Sequence, residues 1–189
     1  MSIGVLWMWL INAWILGEVV IAFATRTRSS QGKVQDRGTL IMIWVVIVAS
    51  FMGSGYADGI SAADMPFSHS GLRLAALGLL IAGLLVRIVA IFTLGRSFSA
   101  NVAIRTSQTV QRTGLYRIVR HPSYLGMEMI FLAAGLHSHN WASLAIVFIP
   151  PTLAILYRIH VEEAALLGAF GSGYGDYMKT TKRLLPGVY

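Results

Sequence analysis

The sequence predicts an all-α integral membrane protein with about five transmembrane helices and a helical C-terminal tail. Of its 189 residues, 56% are hydrophobic and only 12% are charged, whereas charged residues make up about 25% of an average soluble domain. The apolar residues form runs of roughly twenty, the length that an α-helix needs to cross about 30 Å of hydrocarbon. Lys and Arg fall between these runs. A single membrane domain over residues 1–189 is therefore expected.

The apolar runs and the polar segments between them define the predicted elements. The fourth span begins at Pro122, which suits the first helical turn because its missing N–H has no intrahelical partner there. In the fifth span, Pro150 and Pro151 are expected to kink or break the helix, since each removes a backbone donor. The predicted spans are residues 3–24, 39–57, 71–94, 122–137 and 141–160. The tail is residues 161–189, and it is expected to begin as a continuation of the fifth helix.

A short alternating pattern precedes the fourth span. Phe98, Ala100, Val102 and Ile104 are separated by polar or smaller residues. This period of two is typical of β-structure, so a short hairpin at the membrane surface is expected here.

The distribution of Lys and Arg predicts the orientation. With five crossings, one face of the membrane receives the first loop, the third loop and the segment from Arg158 onward, which contain four, five and four Lys or Arg residues. The other face receives Arg73, and Arg87 lies within a span. Because positively charged loops remain in the cytoplasm, the N-terminus is expected outside and the C-terminus in the cytoplasm.

Composition excludes several classes of site. The chain contains no cysteine, which excludes disulfides, thiolate metal sites and a cysteine nucleophile. The net charge of +7 does not predict a nucleic-acid partner, because the basic residues lie between the apolar runs. His137 and His139 lie two positions apart in an external turn, but no third ligand accompanies them, so no metal site is predicted.

Three Asp, Glu, Lys or Arg residues lie more than two positions from the ends of the predicted spans: Glu18, Arg87 and Glu128. All three fall toward the cytoplasmic ends of their helices, where they are expected to share one layer. A charge at membrane depth is costly unless it is paired or hydrated, so this layer predicts a polar cavity open to the cytoplasm. The alternative is that Arg87 extends to the interface and merely meets Glu18 there.

The end of the fifth span adds Arg158, Glu162 and Glu163 to the same face. Arg158 and Glu162 are four positions apart, so they are expected to form an ion pair on one helical face. Glu163 is rotated by about 100° from Glu162 and points elsewhere. One ion pair therefore does not explain both adjacent carboxylates.

An ordered set of short motifs occupies the second half of the chain. This set resembles the isoprenylcysteine carboxyl methyltransferase family and its phospholipid methyltransferase relatives, and the resemblance covers residues 94–187 in the right order and spacing. The first two spans carry no recognisable signature. The motifs are Arg120-His121-Pro122-Ser123-Tyr124-Leu125-Gly126, then Glu162-Glu163, then Phe170-Gly171-x-x-Tyr174-x-x-Tyr177, and finally Arg183 and Pro186.

The resemblance implies S-adenosylmethionine-dependent methyl transfer at the membrane surface, with a cofactor pocket on the cytoplasmic side. This cofactor carries a sulfonium cation, a ribose diol and a zwitterionic amino acid, so its site needs carboxylate acceptors, donors for a carboxylate and aromatic surface. Arg183 is expected to orient the acceptor, with Arg120 and Glu163 as the other catalytic candidates. The cofactor-binding candidates are His121, Tyr124, Gly126, Glu128, Glu162, Glu163, Tyr174 and Tyr177.

The acceptor is expected to be an amphiphile whose lipid part lies in the bilayer. Isoprenylcysteine carboxylate is the leading candidate, since a carboxylate is ionised at neutral pH and needs only a cation to position it. A phospholipid amine is the alternative, and it needs a base such as Glu128 or His121. Tyr174 and Tyr177 have a second interpretation as anchors at the lipid interface.

Two further functions are compatible with the sequence. Membrane reductases that use a nicotinamide cofactor have a similar His-Pro-x-Tyr tail, although they are longer and have more spans. A small transporter or lipid-binding protein, whose charged layer lines a passage, is the non-enzymatic alternative. Charges confined to one membrane face argue against a path through the protein.

Overall fold

A computed structural model describes residues 2–25, 32–34, 38–99, 103–105 and 109–189. Within these residues, the main elements are six α-helices and one antiparallel ribbon of two short strands. Short 3₁₀ turns at Ser61–Ala63, Gly95–Ser97 and Gly114–Arg117 lie in the connections. In chain order the main elements are α1 (Ile3–Ala24), β1 (Gly32–Val34), α2 (Thr39–Ala57), α3 (His69–Leu94), β2 (Ala103–Arg105), α4 (Pro122–His137), α5 (Trp141–Phe170) and α6 (Ser172–Thr180).

Among the described residues, four helices are long and apolar enough to cross a membrane: α1, α2, α3 and α5. Their outward faces carry large apolar side chains such as Trp9, Phe23 and Phe92, which are 63%, 80% and 81% exposed. Apolar exposure of this extent fits a lipid surface and not water. The chain is therefore an integral, multi-pass membrane protein, as predicted. The predicted fourth span corresponds to α4, whose 16 residues reach only about 24 Å.

The predicted spans agree with the helices in position but not at every boundary. α3 begins at His69, two residues before the predicted start. α5 continues to Phe170, ten residues past the predicted end, and takes up the first part of the predicted tail. Pro150 and Pro151 lie inside this continuous helix, so the predicted break does not occur. Packing of α5 against α2 and α4 outweighs the loss of two backbone donors.

The alternating segment forms half of a ribbon and not a hairpin of its own. β1 pairs antiparallel with β2, and Lys33 lies opposite Ile104. The partner strand thus comes from the first basic loop, which the alternation in a single segment does not identify. Ala100 and Val102, two residues of the predicted hairpin, lie outside the described residues.

Two glycines allow α3 and α4 to form the most extensive helix contact in the described part of the chain. A Cβ at Gly126 would lie 2.7 Å from the backbone oxygen of Gly83, and a Cβ at Gly83 would lie 2.8 Å from the backbone oxygen of Gly126. Small residues permit such a close approach of two membrane helices. The fully buried side chains Leu80, Ile130 and Phe131 form the core around this contact. α2 packs on α5, whereas α1 contacts mainly α3.

Asn140 closes the turn between the end of α4 and the start of α5. Its Oδ1 accepts hydrogen bonds from the backbone N–H groups of Ala142 (2.9 Å) and Ser143 (3.1 Å), which caps α5. Its Nδ2 donates to the Ile60 carbonyl at 2.9 Å and so ties this turn to the connection between α2 and α3.

In the part of the chain that the structure describes, no group of three or more His, Asp or Glu side chains is placed to hold a metal ion.

Candidate active site

Backbone hydrogen bonds hold the segment before α4 against the C-terminal segment. The Arg120 N–H donates to the Lys182 carbonyl at 2.8 Å, and the His121 N–H donates to the Arg183 carbonyl at 3.0 Å. Gly114, at φ 58°, begins the 3₁₀ turn that leads into this segment, a conformation that favours glycine. Arg120 and His121 therefore lie at the same end of the bundle as the tail, as the sequence requires.

Glu163, in the last third of α5, binds side chains from two other segments. Its Oε1 accepts a hydrogen bond from Arg120 Nε at 2.9 Å. Arg120 Nη2 lies 2.8 Å from the same oxygen in an ion pair, and His121 Nε2 lies 3.1 Å from it. Its Oε2 accepts a hydrogen bond from Arg183 Nε at 2.8 Å. Arg120 also donates to the Thr181 carbonyl. These charge-assisted bonds fix the buried carboxylate and its donors relative to one another.

A second network joins α2, α4 and α5 through the Tyr124 hydroxyl. Arg158 Nε donates to this hydroxyl at 2.7 Å, and the hydroxyl donates to Glu162 Oε2 at 2.9 Å. Arg158 Nη1 also donates to Thr39 Oγ1 at 2.8 Å. The sequence predicts a direct pair between Arg158 and Glu162. In the structure the Tyr124 hydroxyl bridges these two side chains, so α4 takes part in the network as well.

α6 contributes two buried aromatic rings, Tyr174 and Tyr177. The Tyr177 hydroxyl donates to the Tyr116 carbonyl at 2.5 Å, and the Arg112 guanidinium lies 5.6 Å from the centre of the Tyr177 ring. Burial raises the pKa of Tyr177 to about 12, and it raises the pKa of Tyr116 and Tyr174 as well, so all three phenols are neutral near pH 7. Because both α6 rings are buried, their interpretation as anchors at the lipid interface does not fit.

A buried ion pair joins α1, α3 and α4. Arg87 Nε and Nη2 donate to the two carboxylate oxygens of Glu18. Arg87 Nη1 donates to Ser123 Oγ at 2.7 Å and to the Ser123 carbonyl at 3.2 Å. Trp14 Nε1 donates to Glu18 Oε1 at 3.2 Å. The prediction that Glu18 and Arg87 share a layer is confirmed.

These networks surround a cavity whose lining residues are of two kinds, polar and apolar, which we call its polar half and its apolar half. The empty space between its lining residues is about 1390 Å³, including the open mouth. A molecule with a polar head and an apolar tail fits such a cavity. The polar half is lined by Glu18, Arg87, Arg120, His121, Tyr124, Arg158, Glu162, Tyr174 and Tyr177, and the apolar half by Trp14, Ile43, Trp44, Ile47 and Met127.

The structure divides the predicted site residues into two groups. Successive residues of α4 and α5 are rotated by about 100°, so neighbours in the sequence face different sides of a helix. The predicted residues that line the cavity are Arg120, His121, Tyr124, Glu162, Tyr174 and Tyr177, and those that do not line it are Gly126, Glu128, Glu163 and Arg183.

Each residue of the second group has a contact of its own away from the cavity surface. Gly126 packs against α3, as described above. Glu128 does not line the cavity with Glu18 and Arg87, and its Oε2 accepts a hydrogen bond from Thr152 Oγ1 at 2.6 Å. Glu163 lies behind the cavity wall, where it binds Arg120 and His121. Arg183 binds the other oxygen of Glu163, so the cation that the sequence assigns to the acceptor is separated from the cavity.

The sequence did not identify Arg158 and Tyr116 as site residues, although both line the cavity. Arg158 lies one helical turn before Glu162, and this spacing places both side chains on one face of the helix. The spacing could therefore have identified Arg158 as a site residue. Tyr116 precedes the motif by four residues and has no comparable signal. Ile43 and Ile47, which α2 contributes, have none either, because apolar side chains that line a cavity and those that face lipid look alike in a sequence.

Comparisons with known proteins match this chain to methyltransferases. The model of the isoprenylcysteine carboxyl methyltransferase family matches residues 76–168. A protein-S-isoprenylcysteine O-methyltransferase of Schizosaccharomyces pombe is 30% identical over 141 residues, which cover 71% of this chain and 60% of that protein. A methanethiol S-methyltransferase of Pseudomonas deceptionensis is 36% identical over 74 residues, which cover 39% of this chain and 27% of that protein.

A solved structure has the same fold. It is that of the eukaryotic intramembrane Ras methyltransferase ICMT (isoprenylcysteine carboxyl methyltransferase), with a TM-score of 0.64 and 23% identity over 75% of this chain and 52% of that one. This chain spans less than two thirds of the length of each of these three proteins. The family match includes α4 and most of α3 and α5, whose side chains form much of the polar half of the cavity. The chain belongs to the isoprenylcysteine carboxyl methyltransferase family.

Proposed function

We propose that this protein transfers a methyl group from S-adenosylmethionine to an amphiphile embedded in the membrane. The observation that carries the proposal is the cavity, in which a polar half adjoins an apolar half. Methyl transfer to a lipid-like acceptor needs both kinds of surface in one place, because the cofactor is polar and the acceptor tail is not. In this proposal the polar half faces the cytoplasm and the N-terminus lies outside, since most Lys and Arg residues then lie in the cytoplasm.

The polar half offers the groups that S-adenosylmethionine requires. Glu162 is an acceptor for the ribose hydroxyls or the ammonium group, and Arg120 is a donor for the carboxylate. The rings of Tyr174 and Tyr177 supply aromatic surface for a positively charged sulfur. When bound, the cofactor supplies an activated methyl group on that sulfur. The residues of this chain orient the cofactor and the acceptor and keep water away from both.

An isoprenylcysteine carboxylate is the acceptor that suits the cavity best. Its isoprenoid tail matches the apolar side chains that α1 and α2 contribute, such as Trp14, Ile43 and Ile47. Its carboxylate needs no general base and is attracted by Arg158, which reaches from α5 to α2. Methylation of a carboxylate by a sulfonium removes one charge from each partner, so a site with little water favours the reaction.

Other acceptors and activities have less support. A phospholipid amine needs a base, but Glu128 does not line the cavity and His121 lies against Glu163. Some relatives are named methanethiol S-methyltransferases, so a thiol is a further acceptor class for the assay. The family assignment does not favour a nicotinamide-dependent reductase or a transporter.

Cofactor binding is the first test, with the protein reconstituted in lipid nanodiscs. Calorimetric titration is expected to show binding of S-adenosylmethionine and none of NADPH. Glu162→Gln is expected to weaken cofactor binding about tenfold, which corresponds to one hydrogen bond to a charged group. Asp176→Asn is the matched control, since this carboxylate lies on the exposed face of α6, and it is expected to leave binding unchanged. Absence of S-adenosylmethionine binding by the wild-type protein would overturn the proposal.

Transfer of a labelled methyl group then identifies the acceptor. A farnesylated cysteine derivative with a free carboxylate is expected to become labelled as a base-labile ester, and the matching carboxamide is expected to remain unlabelled. Phosphatidylethanolamine and methanethiol are offered in parallel. If one of these two compounds carries base-stable label and the farnesylated cysteine carries none, that compound and not the carboxylate is the acceptor.

A further inference from the structure

We propose that Glu18 of α1 is a positioning residue for the methyl-transfer site and acts through Arg87 on the first turn of α4. The kinetic consequence rests on the proposed function, whereas the structural consequence concerns this chain alone. Glu18 lies outside residues 76–168, the range of the family match, and in a span that carries no recognisable motif.

The contacts run without interruption from α1 to the site. Both Glu18 oxygens accept hydrogen bonds from Arg87, through Nε and Nη2, and so fix the plane of the guanidinium group. The remaining nitrogen, Nη1, donates to the Ser123 hydroxyl at 2.7 Å and to its carbonyl at 3.2 Å. Ser123 lies between His121 and Tyr124, whose side chains line the cavity. The orientation of one guanidinium group therefore determines the position of this turn.

The first turn of α4 lacks the usual support of a helix start. His121 occupies the N-cap position and makes no side-chain hydrogen bond to the turn. Pro122 follows it and has no N–H group. Helix starts without a side-chain cap are less stable than capped ones. The two hydrogen bonds from Arg87 to Ser123 hold the turn from the side instead.

The pair is also more than an attachment for α1. Of the 22 residues of α1, all of which the structure describes, Trp14 and Glu18 are the buried ones, and they are bonded to each other. Apolar side chains would hold a membrane helix in place without the desolvation that a buried ion pair requires. Glu18 and Arg87 both line the cavity, and their contact with Ser123 gives the ion pair a role that an apolar contact does not supply.

Hydrogen exchange of the ligand-free protein in nanodiscs tests the structural part. Glu18→Gln removes the charge partner of Arg87 and is expected to speed amide exchange in residues 123–127 about tenfold, the effect of losing one hydrogen bond to a charged group. Val20→Ala is the control, because Val20 lies on the same helix and is 55% exposed. It is expected to leave that exchange unchanged. Unchanged exchange in Glu18→Gln would overturn the proposal, whether or not the protein transfers methyl groups.

A second variant covers the case in which Glu18→Gln fails to fold. The double variant Glu18→Gln with Arg87→Gln removes both charges of the ion pair and loses the guanidinium contacts to Ser123. It is expected to show the same faster exchange in residues 123–127. Slow exchange there, in a folded double variant, would also overturn the proposal.

A double-mutant cycle in the methyl-transfer assay tests the kinetic part. Glu18→Gln and Ser123→Ala are each expected to lower kcat about tenfold and to change the acceptor KM less than about threefold, because each loosens the same turn. The combined variant is expected to lose little more than the more affected single variant, since both changes act on one contact. If the kcat losses of the two single variants multiply in the combined variant, or if Ser123→Ala leaves kcat unchanged, Glu18 only holds α1 in place and the proposal is wrong. If the wild-type protein transfers no methyl group, the proposed function fails, and the exchange result still decides the structural part.

Discussion

Replacing Glu163 by Gln is expected to lower the free energy of unfolding by about 3–5 kcal/mol, the usual cost of breaking a buried ion pair from one side. The carboxylate accepts hydrogen bonds from Arg120 on one oxygen and from Arg183 on the other. The amide of Gln has one acceptor oxygen and one NH₂ donor, so one of the two guanidinium groups then faces a donor. Glu163 is 4% exposed and Arg120 is 8% exposed, so little water is available to replace the lost contact.

Equilibrium denaturation in mixed micelles, followed by circular dichroism, measures this loss. Arg183→Gln is the matched comparison, because it removes one partner of the same carboxylate from a side chain that is 32% exposed. It is expected to cost only about 1 kcal/mol or less, since solvent replaces much of the contact. Equal losses for the two variants, or a loss below about 1 kcal/mol for Glu163→Gln, would refute the view that Glu163 organises the wall behind the cavity.

Three further predictions concern the frame of the site. Gly126→Ala is expected to cost about 1–3 kcal/mol, because its Cβ meets the α3 backbone at 2.7 Å, whereas Gly78→Ala, where no described atom outside the helix lies within 4 Å, is expected to be neutral or stabilising in thermal melts. Burial raises the Tyr177 pKa to about 12, above its unfolded value, so its contribution is fully present below about pH 10 and is lost as the pH rises through the folded pKa. The melting-temperature advantage of the wild type over Tyr177→Phe should therefore narrow above about pH 10, and a constant difference would contradict this. Asn140→Ala removes the cap of α5 and is expected to lower the free energy of unfolding by about 1–2 kcal/mol in denaturant titrations. An unchanged free energy of unfolding would mean that this cap does not stabilise the turn.

The helices were predictable because their determinants are local. Runs of about twenty apolar residues dictate membrane spans whatever the tertiary packing. The exact end of α5 was not predictable, because Glu162 and Glu163 mark the end of the apolar span and not the end of the helix that continues from it. In the structure one carboxylate faces the cavity and the other binds cations behind it, so the helix continues through both to Phe170.

The site was predictable where a motif fixes the spacing, and not where helix rotation decides. His121 and Tyr124 are three positions apart and face the cavity together. Glu128 has a carboxyl group like that of Glu162, but it bonds to Thr152 and does not line the cavity. The residue type alone does not reveal the direction of a side chain. The pairing of β1 with β2 was not predictable from the sequence, because each strand has only three residues and the two strands are distant in the sequence.

The origin of the two halves of the cavity has a consequence for how sequences of this kind are compared. Much of the polar half comes from residues inside 76–168, whereas Trp14, Ile43 and Ile47 of the apolar half come from helices that precede this range. Under the proposed function, residues 76–168 supply much of the site for the methyl donor. Substitutions in α1 and α2 are then expected to change which acceptor is admitted without altering that range. The determinants of the acceptor are then expected in helices that precede the range of the family match.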